Sequence, residues 1–157
     1  MELSTHTKGA ITELAVQQAF LSHGFGVSVP ILPTSRYDMI ADIDGHLFKV
    51  QIKTARPVKD SDAFRFSLRS SRTHRWGVTE VKYDKSEVDM FATWYNGNVY
   101  VVPQYLVEGR AECILRNSSA NDQTKGIRFA EDFELNNVIN RWKTENPQLP
   151  FYQNHIQ

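Results

Sequence analysis

Residues 37–54 place the tightest constraint on what this 157-residue chain can fold into. Two alternating stretches, 37–43 and 47–54, are separated by Asp44-Gly45. An Asp-Gly pair between such runs signals a tight hairpin, because both central positions of its turn need positive φ. In the second stretch Phe48, Val50 and Ile52 share one face, and Leu47, Lys49, Gln51 and Lys53 share the other, since strand side chains alternate. With Asp44 and Gly45 as the loop, Ile43 pairs with His46 and Asp38 stands opposite Gln51. A carboxylate, an amide and a lysine are thereby gathered on one face near one strand end. A one-residue bulge would undo this by sending Asp38 to the other face.

The rest of the chain supplies elements to pack around that hairpin. The pattern over 8–23 predicts a helix with Ile11, Leu14, Ala15, Phe20 and Leu21 as its apolar side, stopped at Gly24. A short strand over 26–29 ends at Pro30, and Pro33, Thr34 and Ser35 continue a loop. Phe64, Phe66 and Leu68 alternate with Arg65, Ser67 and Arg69, which reads as one strand over 63–70. Residues 89–95 and 99–102 form a second hairpin about Asn96-Gly97-Asn98, with Trp94 and Tyr95 as strand core. A strand over 111–116, a polar loop over 117–126, a helix over 129–142 and an irregular tail from about 144 complete the reading. Strands gather early and helices lie at both ends. The expected fold is a single α/β or α+β domain over 1–157, a central mixed sheet flanked by helices.

Composition excludes several classes. Hydrophobic residues are 41% and charged residues 23%, which suits a globule rather than a disordered or fibrous chain. There is no apolar run long enough to span a bilayer, and the polar start, 1–9, reads as lacking a secretory leader. Cys113 is the only cysteine, so no internal disulfide forms and a reducing cytoplasm is expected. The five histidines show no ligand spacing, and no Gly-rich phosphate loop or nucleophile elbow is present. Zinc and a nucleotide cofactor are therefore not expected.

Net charge is zero, but it is unevenly divided. Residues 46–85 carry +6, against −3 on each flank. Their basic groups include Arg56, Lys59, Arg65, Arg69, Arg72 and Arg75, interleaved with Phe64, Phe66, His74 and Trp76. That mixture suits phosphate and base contact. It also suits a strand edge and loop guarded by charge against aggregation. Lys8, ahead of the first helix turn, is either a further phosphate contact or a solvated terminus. Glu13 lies one turn from Val16 at the border of the apolar side, where an acid needs a partner, a ligand or a path to water.

These residues carry a resemblance. A Lys-Gly opening before a Glu-containing helix, then Val-Ser-Val-Pro, Ser-Arg-Tyr-Asp and Val-Gln-Ile-Lys, together resemble the PD-(D/E)XK nuclease superfamily over 8–54. The branch most resembled comprises small homing endonucleases of group I introns and related phage and microbial nucleases. The matching positions are Glu13, Asp38, Gln51 and Lys53. Most of the superfamily has Asp or Glu where this chain has Gln51, and the intron-encoded branch is similar to this chain in using glutamine.

The resemblance implies a restriction-endonuclease-like core and a Mg²⁺-dependent DNA endonuclease, with Mn²⁺ as a substitute metal. Asp38 and the main-chain carbonyl of Ile52 would ligate the metal, and Glu13 would act through a metal-bound water. Gln51 would hold the metal or its water, and Lys53 would orient the nucleophile and stabilise charge on the phosphate. Lys8, Arg56, Lys59, Arg65, Arg69, Arg72 and Arg75 would contact double-stranded DNA. A homodimer or homotetramer with two active sites would cut both strands, in a microbial or phage-encoded, nucleoid-associated setting. The alternatives are a Holliday-junction resolvase-like nuclease and a DNA-binding module whose active site has decayed.

Overall fold

Ser4 opens the first helix, its hydroxyl oxygen accepting the Thr7 N–H at 3.1 Å, as an N-cap serine does. The computed structural model describes residues 1–117 and 126–145. Residues 118–125 of the polar loop expected over 117–126, and the tail beyond Glu145, lie outside the described residues. Helix α1 runs Thr5–Ser22, starting three residues earlier than the pattern suggested. Gly24 follows it at φ +80°, the left-handed position that favours glycine after a helix.

The buried stripe of α1 keeps Phe20 from the expected apolar side and otherwise differs from it. Thr12, Val16 and Phe20 face the core, while Ile11, Leu14 and Leu21 are exposed. The helix carries two competing apolar stripes, and the sheet took the one flanked by the small residues Ala15 and Ala19. Thr12 is accommodated because its hydroxyl donates to the Lys8 carbonyl at 2.9 Å.

The strands are β1 (Gly26–Ser28), β2 (Met39–Ile43), β3 (His46–Ile52), β4 (Arg56–Pro57) and β5 (Ala63–Ser67), then β6 (Arg69–His74), β7 (Gly77–Lys82), β8 (Met90–Tyr95), β9 (Asn98–Pro103) and β10 (Glu112–Arg116). The central sheet has the order β1-β2-β3-β8-β9. It is mixed: β3 and β8 run parallel and the other pairs antiparallel. The β2–β3 register is the one expected, with Ile43 opposite His46 and Met39 opposite Val50. Asp44 and Gly45 both have positive φ, 52° and 87°. Asn96 and Gly97 repeat that turn between β8 and β9.

Joining parallel strands requires a long crossover, and here the crossover folds into β4–β7. Strand β5 lies in a second sheet, β10-β5-β4, and β6–β7 forms a separate two-stranded ribbon. The single strand expected over 63–70 is therefore two. Ser67 bends the chain locally, its hydroxyl oxygen accepting the Arg69 N–H at 3.1 Å.

Two apolar clusters account for the layers. Val16 and Phe20 of α1, the inward side chains of β2 and β3, and Leu135, Val138, Ile139 and Trp142 form one. Phe64, Phe66, Cys113 and Leu115 pack with Phe91, Tyr100 and Val102 in the other. Both helices thus cover one face of the central sheet, and the small sheet covers the other. The helix expected over 129–142 divides accordingly. Ala130–Phe133 is a 3-10 turn and α2 spans Leu135–Glu145, because Phe133 serves the second cluster and Leu135 onward the first. Trp94, expected in the core, is about one-third exposed. Among the described residues no helix is long and apolar enough to cross a membrane.

Candidate functional site

Strand β2 stops one residue short of the pair its register calls for, and a side chain completes the ladder. The Asp38 N–H donates to the Val50 carbonyl at 2.9 Å. Its carboxylate then takes the place of a backbone acceptor, with Oδ2 accepting the Ile52 N–H at 2.7 Å. The same oxygen accepts Gln51 Nε2 at 2.6 Å. Gln51 is buried at 7% exposure, and its Nε2 also lies 3.4 Å from the Ile52 carbonyl oxygen. A positively polarised NH₂ group therefore sits between the carboxylate of Asp38 and the carbonyl of Ile52.

Lys53 begins where β3 ends, its N–H donating to the Ala92 carbonyl of β8 at 2.9 Å. Its ammonium donates to the Tyr83 hydroxyl at 2.9 Å and to the Arg69 carbonyl at 3.0 Å. Burial holds Lys53 below the ordinary lysine range; the charge of Asp38 opposes that shift and the charge of Arg36 adds to it. Burial also raises Asp38 above the ordinary carboxylate range, against the lowering effects of the Ile52 N–H, Lys53 and Gln51. Glu13, on the exposed side of α1, is raised by partial desolvation and by the negative charge of Asp38. Two acids, an amide and a lysine thus share one electrostatic neighbourhood, and their shifts arise from crowding of charge with little water.

The basic residues fare differently from one another. Lys8 lies within α1 and pairs with Glu2 at 3.2 Å. Arg56 stands directly across from Arg65, and Arg65 reaches Glu112 at 3.5 Å. Lys59 is exposed in the turn between β4 and β5. Arg69 was expected near the end of the strand over 63–70, with Arg72 and Arg75 beyond it. Instead Arg69 and Arg72 lie in β6, and Arg75 lies at the ribbon tip with its guanidinium 5.2 Å from the Trp76 ring centre. Arg69 is engaged with Glu80 at 2.9 Å. The β-branched Val78, Thr79 and Val81 were the available sign of β7, weakened because the two valines fall on opposite faces.

Three residues beside the site were not singled out for chemistry. Arg36 donates to Glu87 at 3.0 Å, to the Ser70 hydroxyl at 2.6 Å and to the Lys82 carbonyl at 3.0 Å. Its guanidinium lies 4.3 Å from the centre of the Tyr83 ring. Arg36 was visible beside Asp38 in the Arg-Tyr-Asp run; Tyr83 and Glu87 lie far along the chain and carry no local signal.

A family model described as PD-(D/E)XK endonuclease matches residues 3–136. The chain belongs to that family. The matched span of this PD-(D/E)XK endonuclease contains Glu13, Asp38, Gln51 and Lys53 together with the basic crossover. Protein 5.3 of Escherichia phage T7 is 28% identical over 124 residues, covering 79% of this chain and 97% of that one. A solved bacterial homing endonuclease, I-Ssp6803I, has a similar fold at TM-score 0.70 and 21% identity, covering 91% of this chain and 98% of that chain.

The donor set suits a hard cation. Asp38 and Ile52 offer oxygens directly, and Gln51 offers one when its amide rotates to present Oε1. Among the described residues no group of three or more His, Cys, Asp and Glu gathers, so a metal held here would take mixed oxygen donors. Mg²⁺ tolerates that, since it commonly keeps several waters and uses one or two carboxylates.

Proposed function

We propose that this PD-(D/E)XK endonuclease is a Mg²⁺-dependent enzyme that hydrolyses phosphodiester bonds in double-stranded DNA at specific sites, in the manner of a homing endonuclease. The observation that carries the reading is the convergence of the Asp38 carboxylate, the Gln51 amide and the Ile52 carbonyl, beside the Lys53 ammonium. Asp38, the Ile52 carbonyl and Gln51 would hold Mg²⁺ or Mn²⁺, with Glu13 reaching it through water. Bound there, the cation supplies Lewis acidity toward the phosphate and an acidified water. Lys53 would orient the attacking water and balance charge on the phosphate oxygens. Asp38 also keeps the Ile52 N–H and the Gln51 amide aligned at the strand end.

Arg56 and Arg65 set like charges directly across a strand pair, and Glu112 balances one of them. Together with Lys8, Lys59, Arg69, Arg72 and Arg75 they would follow the DNA backbone, and a two-stranded ribbon has dimensions that fit the major groove. The outward Ile11, Leu14 and Leu21 of α1 support assembly as a homodimer or homotetramer, which supplies an active site for each strand.

The test is cleavage of supercoiled and linear duplex by purified protein with Mg²⁺, with Mn²⁺ and with chelator. Asp38→Ala should abolish cutting and keep DNA binding. Gln51→Glu should lower the Mg²⁺ concentration needed for half-maximal cutting, and Gln51→Leu should lose most activity. A parent protein that cuts no DNA with either cation would remove the reading.

A further inference from the structure

The surroundings of Lys53 assign a task to Tyr83, a residue outside the motif. Tyr83 follows β7 and is half-buried. Its ring meets the edge of Phe91 with centres 5.6 Å apart, and its face carries the Arg36 guanidinium. Arg36 is itself held by Glu87, Ser70 and the Lys82 carbonyl. The ring is thus fixed on both sides, and its hydroxyl is delivered to the Lys53 ammonium at 2.9 Å. Burial keeps that hydroxyl protonated, above the ordinary tyrosine range.

An ammonium has three N–H donors on a flexible stem. Among the described residues two of them are directed, one to Tyr83 and one to the Arg69 carbonyl. Fixing two N–H bonds of a tetrahedral group fixes the third. We propose that Tyr83 is a positioning residue for Lys53: its hydroxyl and the Arg69 carbonyl hold the ammonium so that the remaining N–H points at the scissile phosphate or its attacking water. This rests on the nuclease reading above. It goes beyond that reading by linking the lysine to the root of the ribbon, since both Arg69 and Ser70 belong to β6. Orientation of this kind acts on the chemical step rather than on DNA affinity.

Tyr83→Phe keeps the ring, its contact with Phe91 and the stacked Arg36, and removes only the hydroxyl. In Mg²⁺ the variant should lose about tenfold in kcat, the scale of one hydrogen bond, with KM for duplex unchanged and Tm lowered by no more than about 2–4 °C. A kcat equal to the parent's, or a raised KM with kcat intact, would overturn the proposal while leaving the nuclease reading in place, provided that the parent cuts and Lys53→Met does not. A second measurement needs neither metal nor DNA. In ¹⁵N spectra of lysine ammonium groups, Lys53 of the parent should exchange its protons more than tenfold more slowly than the exposed Lys59. Equal rates would overturn the proposal. Slow exchange in the parent that is lost in Tyr83→Phe supports it. A parent that holds its ammonium but cuts no DNA removes the nuclease reading, and with it the role of Tyr83.

Discussion

The β2–β3 hairpin buries Met39, Ala41, Ile43, Phe48, Val50 and Ile52, whereas the β6–β7 ribbon exposes Trp76 and Val78 and contributes no described residue to either core cluster. Both are antiparallel pairs closed by tight turns. In the first, burial of one face enforces the register, and the register puts Asp38 beside Gln51 and Ile52. In the second no apolar face exists. Its place in the molecule is set by polar contacts at its root: Arg36 with Ser70 and the Lys82 carbonyl, and Lys53 with the Arg69 carbonyl. Such contacts contribute only about 1 kcal/mol each, or somewhat more when charged. The ribbon should therefore open at lower free energy than the hairpin. A rigid site with a mobile arm suits an enzyme that must close on a long polymer.

The contrast is broken most directly by truncation on each side of it. Phe48→Ala should cost about 3–5 kcal/mol in chemical denaturation, and Val78→Ala less than about 0.5 kcal/mol. Comparable losses would mean that the ribbon is part of the cooperative core. Arg36→Ala sharpens the comparison, because it frees the ribbon root and leaves the β2–β3 ladder alone. Native-state hydrogen exchange should show ribbon amides opening about 1–3 kcal/mol more easily, with the Val50 and Ile52 amides unchanged.

A smaller effect separates the arginines of the ribbon from one another. Arg75→Ala should reduce the slope of log affinity against log salt by about 0.9, the release from one phosphate. Arg69→Ala should reduce it by less, because Glu80 already occupies Arg69. Equal slopes would show that the ion pair yields to DNA without cost.

The smallest expected effect concerns the price of placing a carboxylate at the hairpin end. Burial raises the Asp38 pKa in the folded chain, so the folded state holds its proton more tightly than the unfolded state. Its contribution then declines as pH rises from about 4, the unfolded value, through the raised folded value. Asp38→Asn keeps an oxygen for the Ile52 N–H and removes the charge. The variant should be more thermally stable than the parent at neutral pH, with the difference shrinking as pH falls through the raised folded value toward about 4. A variant less stable than the parent at pH 7 would show that the Lys53 attraction outweighs desolvation.

Where the sequence was legible, a local rule coincided with a tertiary need. Asp44-Gly45 demands a two-residue turn, and the core demands that Phe48, Val50 and Ile52 face one way, so the register and the meeting of Asp38 with Gln51 follow without knowledge of the rest. Gly24 and the Asn96-Gly97 turn were readable for the same reason. On helix α1 Phe20 was read correctly, but Ile11, Leu14 and Leu21 were read inward in place of Thr12 and Val16, because two apolar stripes compete along it and only the closeness of the sheet chooses between them. The break at Leu68 and the split between the Ala130–Phe133 turn and α2 were hidden for a related reason. At Leu68 the chain passes from the second cluster to a ribbon that joins neither, and after Phe133 it passes from the second cluster to the first, and nothing local marks either change.

By itself, then, the sequence determined the hairpin, its register and the pairing of Asp38 with Gln51, because turn chemistry and strand alternation act over a few residues. Only the tertiary structure decided what surrounds Lys53. Tyr83 lies 30 residues beyond it and Arg36 reaches Glu87 across 51. Contacts of that span depend on how the crossover folds back upon the sheet, and no periodicity in the chain encodes it.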